Sequence, residues 1–568
     1  MAFAIVFCGF GAAAANQLRV QWFGRARVLQ NAVAVHRLDS TRFLTAQRGA
    51  IYSSDDKLLA WSTDESSFGL NPKDVPLNPA LYRELSNVTG IPASELYDCA
   101  SRGGPVREWP VGLNSEQTDA VDRIKRKYSA DGIWCKPTGR RTYPLLEYGA
   151  PVVGFVDNGV GRAGIEQSYE KTLRGTPGMQ IGVTDGEGEF LPWTIKTSES
   201  KPKIDGKDVH LTIDSDLQTV AMKSLAAACE SNKAKTGICI VMRPDTGDVL
   251  ALASWPTFHP DEYQLARLMS HEKQRTSPEL NPNVAYVFEP GSTFKLFTIA
   301  LGLDSGVVHL SDTVNCTGSK QFSTKVIHCA HGARHGLMTP DLCIEQSCNL
   351  AAATWAVKIG YDRYYDLLKR LNILKPAGVG LAHEAVGQFR TNEFAKLLQM
   401  ANLGFGQSIN VAPLRLAAAF TVFANHGIMC EPRLVASVGG DPMPPAKQTR
   451  IFSAETADRV RRMMELCIDS PAGTGHNLKI KGYALAGKTG TAQKLGSSKG
   501  ENYVSSFVGI VPSNQPKALV LVMIDSPSNG SYYGASVAGP VFRDVAQFTI
   551  QKNHLPPDRP GELTLAVR

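Results

Sequence analysis

Strand-like apolar runs stand at both ends of one long stretch of this chain, at 237–242 and 248–254 on one side and at 483–492, 503–511 and 518–525 on the other. Between them the apolar spacing turns helical, at 293–303, 349–359, 362–371, 393–401, 413–424 and 454–467, and a closing helix is predicted over 537–551. Pro244-Asp245-Thr246-Gly247 reads as the turn of a hairpin joining the first two runs. Strands at both ends with helices between them predict an α/β domain whose single antiparallel sheet, flanked by helices, is built from both termini of the segment.

The region before it has another texture. From 37 to 205 the apolar runs are short and are broken by Asn71-Pro72, Asn78-Pro79, Gly103-Gly104-Pro105, Gly175-Thr176-Pro177 and Asp185-Gly186. That pattern predicts an elongated, β-rich domain with helices near 114–128 and 164–173. The charged stretch 196–207 reads as a linker, which puts the domain boundary at 205/206 and the larger domain at 206–555. Residues 2–18 carry no charge and are a membrane-targeting candidate, at the short limit of the roughly 20 residues a spanning helix needs; a cleaved signal, with Ala12 to Ala15 as the processing site, and a buried core helix are the alternative readings. No basic residue precedes them, and Arg19, Arg25 and Arg27 follow. Taken alone, the positive-inside rule would put the rest of the chain in the cytoplasm.

Composition removes several classes. Sixty Lys and Arg against 53 Asp and Glu leave a net charge of +7, and no basic block interleaved with aromatics concentrates it, so nucleic-acid binding is not indicated. Eleven scattered cysteines do not make a disulfide framework.

Three strings carry chemistry. Ser292-Thr293-Phe294-Lys295 follows Pro290-Gly291 and opens an apolar helix, so Ser292 and Lys295 share the face of its first turn. A serine hydroxyl needs a base to become a nucleophile, and a lysine serves if burial or a second cation keeps it neutral. The same spacing recurs at Ser54–Lys57, Ser198–Lys201 and Ser270–Lys273, which lack that context and read as solvated surface. Ser347-Cys348-Asn349 taken alone is a helix N-cap. Lys488-Thr489-Gly490-Thr491 taken alone is a bulge or turn in a strand.

In this order and within one α/β domain, the three strings resemble those of the active-site serine penicillin-recognising enzymes. Supporting strings are Leu211–Gln218 (LTIDSDLQ), 243–254 (RPDTGDVLALAS), 288–295 (FEPGSTFK), 405–417 (FGQSINVAPLRLA) and 532–542 (YYGASVAGPVF); Arg48-Gly49-Ala50-Ile51 and 164–178 (GIEQSYEKTLRGTPG) extend the likeness to the N-terminal region. The chain resembles a class B penicillin-binding protein, with 37–205 as its pedestal and 206–555 as its transpeptidase domain. Departures are Tyr52-Ser53-Ser54-Asp55, where the family usually continues with Asp-Arg, and Ser408, where many members have Gly.

The resemblance implies acyl transfer between peptidoglycan stem peptides ending in D-Ala-D-Ala, inhibited by β-lactams. Ser292 is then the nucleophile and Lys295 the base; Ser347 relays a proton, Asn349 holds the substrate amide and Lys295, and Lys488 helps keep Lys295 neutral. Thr489, Gly490 and Thr491 line the substrate, with Thr489 and Thr491 on its carboxylate, and the N–H groups of Ser292 and Thr491 form an oxyanion hole. No metal or organic cofactor is implied. The further implications are a septal role, a polytopic membrane glycosyltransferase and other division proteins as partners, and residues 1–18 as a single-pass anchor in the bacterial cytoplasmic membrane with the rest of the chain outside. Since the anchor lacks a basic flank, the native start is expected upstream of Met1. An elongation-type transpeptidase, a β-lactam sensor or a D,D-carboxypeptidase would share the motifs.

One segment stays open. Cys316, His328, Cys329, His331 and His335 fit a zinc site, a Cys316–Cys329 disulfide or a polar loop, of which the latter two are favoured, and Cys348 reads as a space-filler.

Overall fold

The computed structural model describes residues 39–63, 65–137, 141–157, 159–183, 191–260, 280–323, 325–389, 396–494 and 503–564. They form two compact units, one drawn from the chain up to Gly49, Asp64–Arg140 and Arg174–Lys207, the other from Ala50–Thr63, Arg141–Leu173 and Asp208–Arg568.

The smaller unit holds a three-stranded antiparallel sheet ordered Arg107–Leu113, Ser66–Leu70, Ile133–Pro137. Helices Pro79–Thr89, Ala93–Ser101 and Ser115–Tyr128 bury Leu81, Leu85, Leu96 and Val121 with Phe68 and Ile133. The predicted helix at 114–128 starts one residue later because Asn114 is its cap, in a reciprocal capping box with Gln117. A separate ribbon pairs Asp39–Leu44 with Gly178–Val183. The stretch 196–207 is not a free linker. Met179 and Lys201 exchange N–H···O bonds of 2.8 and 2.7 Å, and Thr176 and Ile204 exchange bonds of 2.7 and 2.9 Å, so its backbone is satisfied by an adjacent edge.

The larger unit is built on a five-stranded antiparallel sheet. In chain order its elements are α1 (Ser215–Ser231), β1 (Thr236–Met242), β2 (Val249–Trp255), α2 (Lys295–Asp304), α3 (Asn349–Ile359), α4 (Pro413–Ala424), α5 (Ala454–Asp469), β3 (Ala486–Gln493), β4 (Tyr503–Val511), β5 (Ala518–Asp525) and α6 (Gly539–Lys552). The strand order is β2-β1-β5-β4-β3, so strands from both ends of the segment meet at β1 and β5, as the apolar runs predict. Alternation then assigns the faces. Ile238, Ile240, Leu519 and Leu521 join a core with Phe294, Phe297 and Phe420 of the central helices. Cys239, Val241, Val520 and Val522 join the opposite core with Leu217, Ala221 and Leu225 of α1 and Val541 and Val545 of α6.

Boundaries move where capping or tertiary context intervenes. The strand predicted from 483 begins at Ala486, and the helix predicted from 393 is described as Lys396–Leu403, residues 390–395 lying outside the described set. The predicted helix at 164–173 is two short pieces, Gly164–Ser168 and Glu170–Leu173. Sequence reading missed α1 altogether, although Asp214 caps it and Leu217, Ala221, Leu225 and Cys229 recur at helical spacing. Among the described residues no helix is long and apolar enough to cross a membrane. The expected anchor at 1–18 lies outside the described residues.

A second sheet in this unit, ordered Asp441–Pro442, Val435–Val438, Val209–Leu211, Ile51–Tyr52, Leu58–Ser62, Arg141–Thr142, gathers distant segments. In the departure after Ile51, Asp55 accepts from the N–H and hydroxyl of Ser215 at 3.1 and 2.7 Å and so binds the first turn of α1. Arg141 Nε donates to Glu166 at 2.7 Å, with both side chains almost fully buried. Removing one partner of such a pair strands a buried charge, a loss of about 3–5 kcal/mol. Glu166→Ala is expected to lower the unfolding midpoint in urea accordingly, and the double variant Arg141→Met/Glu166→Met to recover much of that loss; equal midpoints for wild type and Glu166→Ala would show the pair to be energetically idle.

Candidate active site

Ser292 sits on a turn that two glycines make possible. The chain enters through Gly291 at φ +58° and a 3-10 turn, Gly291–Phe294, before α2 proper begins at Lys295. The helical region thus starts slightly ahead of the predicted 293, with its first turn tightened. Gly406, at φ +79°, lies against that turn so closely that a Cβ would meet the Gly291 oxygen at 2.1 Å, and the Gly291 N–H donates to Gly406 O at 3.0 Å. Ser408, the departure two residues on, holds φ +64° without glycine's freedom, and its N–H donates to the Glu289 carboxylate at 2.8 Å.

The three strings, distant in sequence, converge on Lys295. Its Nζ lies 2.9 Å from Ser292 Oγ and donates to Ser347 O at 2.6 Å, Ser347 Oγ at 3.0 Å and Asn349 Oδ1 at 2.7 Å. Lys488 Nζ donates to the same Ser347 Oγ at 2.9 Å and to Thr489 O at 3.1 Å. One hydroxyl therefore bridges two amines. Ser347 occupies φ +59°, the left-handed region that a serine adopts only when its surroundings compel it. Helix capping by Ser347 or Asn349 is not what this string does. Cys348 is the N-cap of α3, its sulfur accepting from Ala351 N–H at 3.5 Å, which frees the flanking side chains to face the lysines.

Lys295 and Lys488 have no exposed surface. Burial pushes the Lys295 ammonium down to about 7, and the charge of Lys488 pushes in the same direction. Burial also lowers Lys488. The oxygens around Lys295 are neutral, and the nearby thiols of Cys343, Cys348 and Cys329 offset only part of the cost of its charge, so near neutral pH it can accept a proton from the adjacent serine.

Lys488, Thr489, Gly490 and Thr491 lie in β3, whose pairing with β4 runs without a break from Ala486↔Ile510 to Gln493↔Tyr503; the bulge or turn that the string permits in isolation is absent. Among the described residues β3 is the edge strand of its sheet, the side on which a further strand can add. A side chain on Gly490 would collide with Ser506 Oγ at 2.2 Å and crowd Thr293 Cγ2 at 3.1 Å, so glycine lets the strand lie along the Ser292 turn. Thr489 Oγ1 donates to Thr474 Oγ1 at 2.9 Å, and Thr491 Oγ1 accepts from Gly534 N–H at 3.3 Å. Thr474, Glu289 and the His328 carbonyl, which accepts from Asn349 Nδ2 at 3.1 Å, were not singled out from sequence. Glu289 alone had a signal, its place in Phe-Glu-Pro-Gly-Ser.

The cysteine and histidine segment also differs from its favoured readings. Cys316 and Cys329 are free thiols with sulfurs 3.5 Å apart, not a disulfide, and Cys348 packs against them with its sulfur 3.7 Å from that of Cys329. His335 Nδ1 lies 3.3 Å from Cys316 Sγ, whereas His328 is exposed.

Residues 237–547 match the model for the penicillin binding protein transpeptidase domain, and 43–211 match that for the penicillin-binding protein dimerisation domain. The chain is 28% identical over 538 residues to the probable peptidoglycan D,D-transpeptidase PenA of Neisseria gonorrhoeae, covering 92% of this chain and 88% of that one. It is 28% identical over 523 residues to the peptidoglycan D,D-transpeptidase FtsI of Escherichia coli, covering 91% and 85%. Among solved structures, a peptidoglycan synthetase from Bifidobacterium adolescentis shares the fold with a TM-score of 0.71, at 24% identity over 91% of this chain and 97% of that one.

The burial and the charge of Lys488 together give a direct expectation. In NMR of protein labelled at lysine, Lys295 titrates with a midpoint about 7, and in Lys488→Met, which keeps the site buried but removes the charge, that midpoint moves up. A midpoint in the ordinary lysine range in the wild type would contradict the electrostatic reading.

Proposed function

This chain belongs to the penicillin-binding protein family of peptidoglycan D,D-transpeptidases, and we propose that Ser292 is its nucleophile and Lys295 the base that activates it. It is a class B enzyme of cell-wall synthesis and a β-lactam target. The observation that carries the residue roles is the 2.9 Å approach of Ser292 Oγ to a fully buried Lys295.

In the first half-reaction Ser292 Oγ attacks the carbonyl carbon between the two terminal D-alanines and its proton passes to Lys295 Nζ. Proton transfer of this kind contributes about 10²–10⁴-fold. The N–H groups of Ser292 and Thr491 stabilise the oxyanion, worth roughly 3–4 kcal/mol per donor. As the C–N bond breaks, Ser347 passes a proton to the departing amine, a role supported by its position 3.0 Å from Lys295 and 2.9 Å from Lys488. D-Alanine leaves, and an ester joins the stem peptide to Ser292. In the second half-reaction an amine of a neighbouring stem attacks that ester, loses its proton to the same relay, and Ser292 recovers its hydroxyl. Asn349 orients Lys295 and the substrate amide. Thr489 and Thr491 receive the substrate carboxylate, with Gly490 keeping the strand close.

Residues 1–18 are assigned as a single membrane-spanning anchor, because the substrate lies outside the cytoplasmic membrane and this stretch is uncharged. Glycan polymerisation then falls to a polytopic membrane glycosyltransferase partner, and the resemblance favours septal synthesis over elongation.

Labelled penicillin is expected to form a stable adduct on the peptide containing Ser292, absent in Ser292→Ala, with an acylation rate that rises as pH passes through about 7 and then levels, since neutral Lys295 is the reactive form. An adduct on another residue, or one that survives Ser292→Ala, refutes the assignment. Depletion in cells should produce filaments; rounded cells would assign the enzyme to elongation.

A further inference from the structure

Beside the catalytic network lies a cluster that takes no part in the reaction above. Cys316, Cys329 and Cys348 are almost fully buried, His335 is half-buried, and one ligand atom from each falls within 4.8 Å of all the others. The three groups of sequence that supply them are brought together by the fold. Cys316 ends a short strand, Val314–Cys316, paired with Gly336–Met338 just after His335. Cys329 follows the hairpin formed by Ser319–Phe322 and Lys325–His328, and Cys348 caps α3.

We propose that Cys316, Cys329, His335 and Cys348 form a structural zinc site that fastens the 314–338 segment to the start of α3. The distances suit that metal. Zinc bound tetrahedrally, with bonds of about 2.3 Å to sulfur and 2.0–2.1 Å to nitrogen, has ligand-to-ligand edges of roughly 3.5–3.8 Å. Here Cys316 Sγ is 3.5 Å from Cys329 Sγ and 3.3 Å from His335 Nδ1, and Cys329 Sγ is 3.7 Å from Cys348 Sγ. A disulfide would need roughly 2.0 Å and would leave a third thiol and an imidazole crowded around it without purpose.

The donor set is consistent with zinc in kind as well as size, since three soft thiolates and one imidazole in a closed site are the usual tetrahedral ligands of structural Zn²⁺. Binding displaces three thiol protons, while His335 binds as the neutral imidazole through Nδ1. The resulting site carries one net negative charge. The backbone N–H of Ala351 donates to Cys348 Sγ at 3.5 Å, so the N-terminus of α3 meets the charge. The metal would thereby hold the Ser347-Cys348-Asn349 string from behind. On the segment it secures, the His328 carbonyl accepts from Asn349 Nδ2, so the same fastening reaches a side chain that touches Lys295.

The site stands independently of the catalytic roles, because its test reads metal and not turnover. Full-length protein purified under reducing conditions and equilibrated with zinc sulfate is expected to retain one zinc per chain through gel filtration, measured by elemental mass spectrometry. Cys329→Ser and His335→Ala should each weaken zinc binding at least tenfold in competition with a chromophoric chelator, whereas Cys99→Ser, in the other unit, should not. His335→Ala keeps the test open if loss of a buried cysteine impairs folding. Cobalt in place of zinc should give the thiolate charge-transfer bands and intense visible absorption of a tetrahedral site. Substoichiometric zinc under those conditions, undiminished binding in His335→Ala, or a Cys316–Cys329 disulfide in the native protein each overturns the proposal.

Discussion

A buried amine with no carboxylate beside it is the constraint around which this active site is organised. Lys295 has lost its water, and its contacts are a serine hydroxyl, a second serine's hydroxyl and carbonyl, and an amide oxygen. Such surroundings hydrogen-bond an amine in either protonation state but do not offset the cost of its charge. Lys488, reaching the same Ser347 hydroxyl from the strand side, adds repulsion. The arrangement exchanges stability for reactivity. Burial of Lys295 and the charge of Lys488 together move its ammonium down towards neutral pH, which suits the role of base proposed for it.

That requirement explains why close backbone approach matters around the nucleophile. Gly291 turns the chain into α2, Gly406 leaves room for that turn, and Gly490 lets β3 lie against it. The underlying aromatic layer, with Phe297 centred 5.0 Å from Phe420 and 5.3 Å from Phe423, gives α2 a rigid base, so Ser292 and Lys295 are held by packing and not by the loop alone.

Much of the frame is legible because strands buried on both faces read as near-continuous apolar runs bounded by turn residues. The runs that form β1, β2, β4 and β5 carry that signal, and strands at both ends of the segment with helices between them predict one sheet. α1 is hard to read from sequence because its buried positions include the small residues Ser215, Ala221 and Cys229, which dilute the apolar stripe. The stretch 196–207 misled for another reason. Its charge and proline suggested a linker, but backbone bonding to a neighbouring edge is indifferent to side-chain polarity.

The sequence by itself determined which groups the proposed chemistry draws on: a serine and lysine one turn apart, a serine and asparagine flanking a cysteine, and a lysine followed by Thr-Gly-Thr in a strand. It determined this because spacing within one turn or one strand is local geometry. The tertiary structure alone decided that Ser347 bridges two lysines, that Lys295 is buried, and that Cys348 caps α3 beside Cys316, Cys329 and His335. Those are distances between segments far apart along the chain, and no local periodicity encodes them.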